Sequence, residues 1–166
     1  MPLAPGDPWE SYARTVVEIA RAGGRNVVVR SAPPGEVGEW PWASHEPVHV
    51  LTAWDPGDER PGEEENRRRQ AALEADLRSL AGVQWPALGV DPVTGHREEG
   101  VAVCGVSEAD VVALGGRYRQ DAVFGWTPTA WTILACAGGR RLASGWSLGA
   151  PKTRGMSGRW PLLRLT

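Results

Sequence analysis

Val48-His49-Val50-Leu51-Thr52-Ala53-Trp54 decides how the chain is read, because β-branched residues dominate its first half and a helix follows it. Asp55 to Gly62 is turn chemistry, and Glu63 to Leu80 is the clearest helical pattern, with Gly82 as its expected cap. Working outward, Val83 to Leu88 reads as a strand, and Pro86 within it predicts a sheet edge. Glu99 to Val106 is the next strand, and Ser107-Glu108-Ala109-Asp110 opens a second helix with an acidic variant of the capping box. Asp121 to Trp126 closes the run as a strand. Strand, helix, strand, strand, helix, strand is the ferredoxin-like β-α-β-β-α-β pattern, so the expected fold class is α+β.

Three elements flank that core. Trp9, Tyr12, Ala13, Val16 and Ala20 recur at helical spacing before Gly23-Gly24, and predict an N-terminal helix. Asn26 to Arg30 predicts a short strand, and Ser31 to Pro47 a long ordered loop. Trp131 to Cys136 and Arg140 to Ala143 predict a C-terminal hairpin turning at Gly138-Gly139. Residues 1–150 are expected to form one α+β domain. Residues 151–166 carry Lys152, Arg154, Arg159 and Arg164 without an acidic residue, and are expected to be a loosely held basic tail.

Composition narrows the function classes. A net charge of -2 and 23% charged residues give no electrostatic drive toward nucleic acid or anionic lipid. No apolar run approaches the roughly 20 residues that span a bilayer, and the N-terminus has no signal-peptide pattern. Cys104 and Cys136 match no metal or redox spacing and fit a reducing cytoplasm, which is the expected location. The 9 tryptophans, Trp40, Trp42, Trp54, Trp126 and Trp131 among them, are expected mainly in the core.

In the ferredoxin-like order the third and fourth strands lie on either side of the first. That brings Trp54-Asp55, Asn66, Arg69, Gln70, Glu98-Glu99 and Gln120-Asp121 to one end of the sheet. A second line of reasoning comes from the long helix, whose buried stripe Leu73, Leu77 and Leu80 continues backward onto Gln70, Arg69 and Asn66. Buried polar groups of this kind need partners, for which Glu98, Glu99, Asp55 and Asp121 are the candidates. A helix start overhanging the sheet into water is the competing reading.

The same positions resemble an uncharacterised bacterial family, the domain of unknown function 3293. The likeness runs through Thr52-Ala53-Trp54-Asp55-Pro56, Glu65-Asn66 with Arg69, Gln70 and Leu73, then Glu98-Glu99, then Gln120-Asp121-Ala122, over roughly residues 48–126. The departures are Asp55 and Gln70, where the resemblance implies asparagine, and Arg119, where it implies glycine. No activity comes with it.

His45-Glu46-Pro47-Val48-His49 matches the HExxH zinc pattern, with His96 as a third histidine, but that pattern needs a helix. On a strand the two histidines stand about 13 Å apart, too far to share an ion. No metal or other cofactor is therefore assigned, and a zinc hydrolase through His45, His49 and His96 ranks third. The leading expectation is a domain binding a small anionic molecule at the sheet edge. Trp54, Asp55, Asn66, Arg69, Gln70, Gln120 and Asp121 would contact it, and Glu98 or Glu99 would supply acid–base chemistry. The second expectation is a protein–protein interaction or regulatory module, favoured if Trp40 and Trp42 are exposed.

Overall fold

The computed structural model describes residues 3–149, so the basic segment 151–166 lies outside the described residues. The elements in chain order are α1 Glu10–Arg14, β1 Val16–Ile19, β2 Val27–Ala32, β3 Val48–Leu51, α2 Glu63–Ser79 and β4 Val83–Val90. They continue with β5 Arg97–Cys104, α3 Glu108–Arg117, β6 Ala122–Thr127, β7 Ala130–Ala135 and β8 Arg141–Leu148. Among the described residues no helix is long and apolar enough to cross a membrane.

The strands do not form a ferredoxin-like α+β sandwich. They form a closed antiparallel barrel in the order β1-β2-β8-β7-β6-β3-β5-β4, with β4 paired back onto β1. The correction turns on four residues. Val16 shares helical spacing with Trp9 and Tyr12, yet the helix stops at Arg14 and Val16-Val17-Glu18-Ile19 become β1. Two valines and an isoleucine suit a pleated, buried surface better than a helix. Val17 and Ile19 face the barrel core, and β1 bridges Val17↔Val29 on β2 to Val17↔Gly89 on β4.

Closure also overturns the edge assignment of β4, which has neighbours on both sides. Pro86 is tolerated because β1 pairs only with residues 87–90. The Pro86 carbonyl accepts from the Ala20 N–H at 2.9 Å. N and O of one strand residue point the same way, so the missing donor faces the end of β1 and spares the β5 ladder. The expected C-terminal hairpin is β7–β8, turning through Gly138 and Gly139 at positive φ, and it is barrel wall.

Two apolar clusters divide the molecule. One fills the barrel with Val17, Ile19, Val29, Val48, Val50, Ala87, Ala102, Trp126, Trp131 and Trp146, among others, and Trp40, Trp42 and Trp85 pack against it. The other lies outside the wall, where Leu73 and Leu77 of α2 and Val111 and Leu114 of α3 cover Leu51, Val101, Val103 and Val123. The inward stripe of α2 is Asn66, Gln70, Leu73 and Leu77; Leu80 is exposed past its end, and Ala81 at φ 58 takes the left-handed cap position expected of Gly82. The outer face of α2 carries the ion pairs Glu63–Arg67 and Glu64–Arg68.

Candidate functional site

Inward positions on β4, β5 and β6, strands of one side of the barrel with β3 between β5 and β6, shrink in one direction. Along β4 they run Trp85, Ala87, Gly89, and along β6 they run Trp126, Phe124, Ala122. Along β5 they run Cys104, Ala102, Gly100. An eight-stranded barrel is just wide enough to be filled by side chains or to hold one small ligand. Here it does both, one at each end. The small end encloses a cavity of about 290 Å³, floored by Val17, Val50, Ala87, Gly89, Ala122 and Phe124.

The mouth of this cavity is polar. It is lined by Asp55, Glu98, Gln120 and Asp121, and also by Tyr12, Asp58, Arg60, Asp91, His96 and Arg119. Because β5 and β6 flank β3, the end of β3 and the starts of β5 and β6 meet here. The helix α1 stands beside them, pinned when Arg14 donates to both carboxylate oxygens of Asp91 at 2.8 and 2.7 Å.

At the centre, His96 Nε2 lies 3.0 Å from Glu98 Oε1 and 3.6 Å from Asp55 Oδ2. One potential ligand atom from each of these three residues falls within 4.8 Å of the other two. Burial pushes the Glu98 carboxyl above its usual range; the hydrogen bond from His96 pulls it back and the charge of Asp55 adds to the rise. The Tyr12 hydroxyl is pushed up to about 12 by burial and by the charges of Asp121 and Glu98, and it donates to Asp121 at 3.4 Å.

The remaining expected residues build the mouth without lining it. Asn66, buried in the first turn of α2, accepts from the Asp55 N–H and donates to Asp55 Oδ1, both at 3.0 Å. Gln70 accepts from the Ala53 N–H at 2.9 Å. Arg69 donates to the carbonyls of Ala53 and Tyr118 at 3.0 and 2.7 Å, so its guanidinium ties two loops together and, among the described residues, meets no carboxylate. Trp54 is partly buried and contributes its carbonyl, which accepts from Gln120 Nε2 at 2.9 Å. Glu99 alternates to the outer face, 3.7 Å from Arg67.

Sequence reasoning missed Tyr12, Arg60 and Arg119, and it grouped His96 with the wrong partners. His45 is exposed in a loop, and His49 is buried on the outer face of β3, where burial lowers its pKa. The signal for His96 was its spacing from Glu98: residues i and i+2 at the start of a strand share a face. Asp55 at φ 46 and Arg119 at φ 60 both adopt the left-handed conformation, which accounts for asparagine and glycine as the expected residues there.

The fold and site define a closed antiparallel barrel with a tryptophan-filled end and a cavity at the other. Residues 51–123 match the model of a family described as protein of unknown function (DUF3293), which supports the resemblance carried by Thr52–Pro56, Asn66, Glu98-Glu99 and Gln120-Asp121. No curated protein and no solved structure matches the chain. The matched segment contains Asp55, His96, Glu98, Gln120 and Asp121, whereas Tyr12 and β1, which complete the cavity, precede it.

Proposed function

We propose that this protein binds one compact small molecule in the open end of its barrel, apolar part inward and polar part at the mouth. The observation that carries this reading is the shrinkage of inward residues on β4, β5 and β6 toward a mouth ringed with acceptors. Pockets of this kind combine an apolar floor with a few convergent polar groups. An anionic ligand loses the support it drew from Arg69, which is committed to carbonyls. Arg119 pairs with Glu59 at 2.8 Å, and Arg60 donates to the carbonyl of Glu59 at the same distance. Asp55, Asp58, Glu98 and Asp121 therefore outweigh the free positive charge. The polar end calls for positive charge, brought by the ligand as an ammonium group or by an ion that anchors it.

Of the two carboxylates expected to do acid–base work, only Glu98 can meet a bound molecule. Trp40 and Trp42 are partly buried against the barrel core, which removes the exposed tryptophan surface that would favour the interaction-module alternative. Free Cys104 and Cys136 fit binding in a reducing cytoplasm. Saturation-transfer NMR with a set of compact ammonium-bearing fragments tests the reading. Fragments should bind the native chain and be excluded by Ala122→Phe, which fills the floor. Equal binding to both proteins would remove the cavity as the site.

A further inference from the structure

We infer that the mouth of the barrel holds a divalent transition-metal ion between Asp55, His96 and Glu98. This rests on the cavity-binding reading and names the source of the positive charge its polar end needs.

The distances are those of a ligand set. Zinc binds imidazole nitrogen and carboxylate oxygen at about 2.0–2.2 Å, so two donors on a tetrahedron stand about 3.4 Å apart. The observed separations from His96 Nε2, 3.0 Å to Glu98 and 3.6 Å to Asp55, bracket that value. One nitrogen with two carboxylates favours a transition metal over magnesium or calcium, which take oxygen alone.

A second observation stands apart from the clustering. The Asp55 side chain is only 10% exposed and lines the cavity. Its Oδ1 is used by Asn66, while no hydrogen-bond donor among the described residues reaches Oδ2. Oδ2 is thus the free oxygen of a largely buried carboxylate, open to the cavity with His96 Nε2 3.6 Å away, and a cation there would meet a ligand already oriented through Oδ1. Asn66 plays the orienting part that outer partners play around metal-binding carboxylates. Three protein donors leave further coordination positions for water or a ligand's polar end.

Isothermal titration of the untagged, chelator-treated full chain with zinc chloride tests this. One saturable site is expected, with magnesium chloride binding far more weakly. His96→Ala and Glu98→Gln should each weaken zinc by about tenfold or more. Asp55→Asn should do the same while keeping an oxygen for Asn66, and His45→Ala should leave the affinity unchanged. Urea unfolding of each metal-free variant separates loss of the ion from loss of the fold. Absent zinc binding, or binding that survives both His96→Ala and Glu98→Gln in folded protein, overturns the inference. If zinc fails while ammonium fragments still bind and Ala122→Phe excludes them, the ion falls and the cavity reading stands. If zinc binds as expected and no fragment engages the cavity, the ion stands and the cavity reading falls.

Discussion

The two ends of this barrel are built from the same strands and have opposite characters. At one end Trp126, Trp131 and Trp146 are fully buried and meet edge-on, with ring centroids 5.2 Å apart for Trp126–Trp146 and 6.0 Å for Trp126–Trp131. Trp40 and Trp42, from the long loop after β2, close over them, at 5.0 and 6.1 Å from Trp126. At the other end β4, β5 and β6 carry Gly89, Gly100 and Ala122, and loops supply acceptors in place of rings. Stability is thus concentrated at the tryptophan end, which leaves the other end free to be hollow and acidic. A stable fold can carry a poorly compensated polar site when its packing energy lies elsewhere.

The sharpest way to break this comparison is to mutate one residue at each end of the same strand. Trp126→Ala removes a ring with no exposure and should cost about 3–5 kcal/mol, with the urea midpoint as the readout. Ala122→Phe, four residues away on β6, adds a ring to a cavity and should stay within about 1.5 kcal/mol of the native protein. Equal costs would mean that the two ends are packed alike. A smaller effect is expected at Gly145, which pairs with Ala32 and lies under the loop that carries the two outer tryptophans. A Cβ there would overlap the carbonyl oxygens of Glu36 and Pro33, backbone atoms that cannot swing aside. Gly145→Ala should therefore lift the loop and cost about 1–3 kcal/mol. Tryptophan fluorescence should shift to the red as Trp40 and Trp42 lose their cover.

These ends were unequally legible. The alternation along β3 to β6 was readable locally, and so was the burial of Trp126 and Trp131, whereas Trp40, Trp42 and Trp54 are only partly buried. The convergence of Asp55, Glu98 and Asp121 followed from β5 and β6 flanking β3. Closure was hidden, because it depends on β1, four residues that lie within a helical spacing running from Trp9 and Tyr12 through Val16 to Ala20. Without β1 the sheet has edges, and an edge was where the site was placed. The cavity itself was hidden for another reason. That Gly89 stands opposite Glu98, and Ala87 opposite Gly100, is a matter of long-range register, which periodicity does not encode. Arg69 misled because a buried guanidinium suggests a carboxylate partner, while carbonyl oxygens at a helix-facing loop satisfy it equally well.

The smallest expected effect lies at the open end, in the clasp that holds α1 beside the cavity. Arg14 and the N–H groups of Val93 and Thr94 all donate to Asp91, and the first of these dominates in holding its carboxyl well below the usual carboxylate range. A carboxyl depressed on folding stabilises the fold fully above its unfolded pKa of about 3.9, and that contribution is lost as the pH falls toward the lower folded value. Arg14→Ala should then cost on the order of 1 kcal/mol at neutral pH, since the arginine side chain is partly solvated. Its stability should also fall less steeply than the native protein's below about pH 4. Urea unfolding at pH 7 and pH 3 measures both. Because the clasp joins α1 to the turn after β4, its loss should loosen Tyr12 at the mouth while Trp126 at the far end stays buried. A variant in which both ends loosen together would show that the barrel responds as one unit.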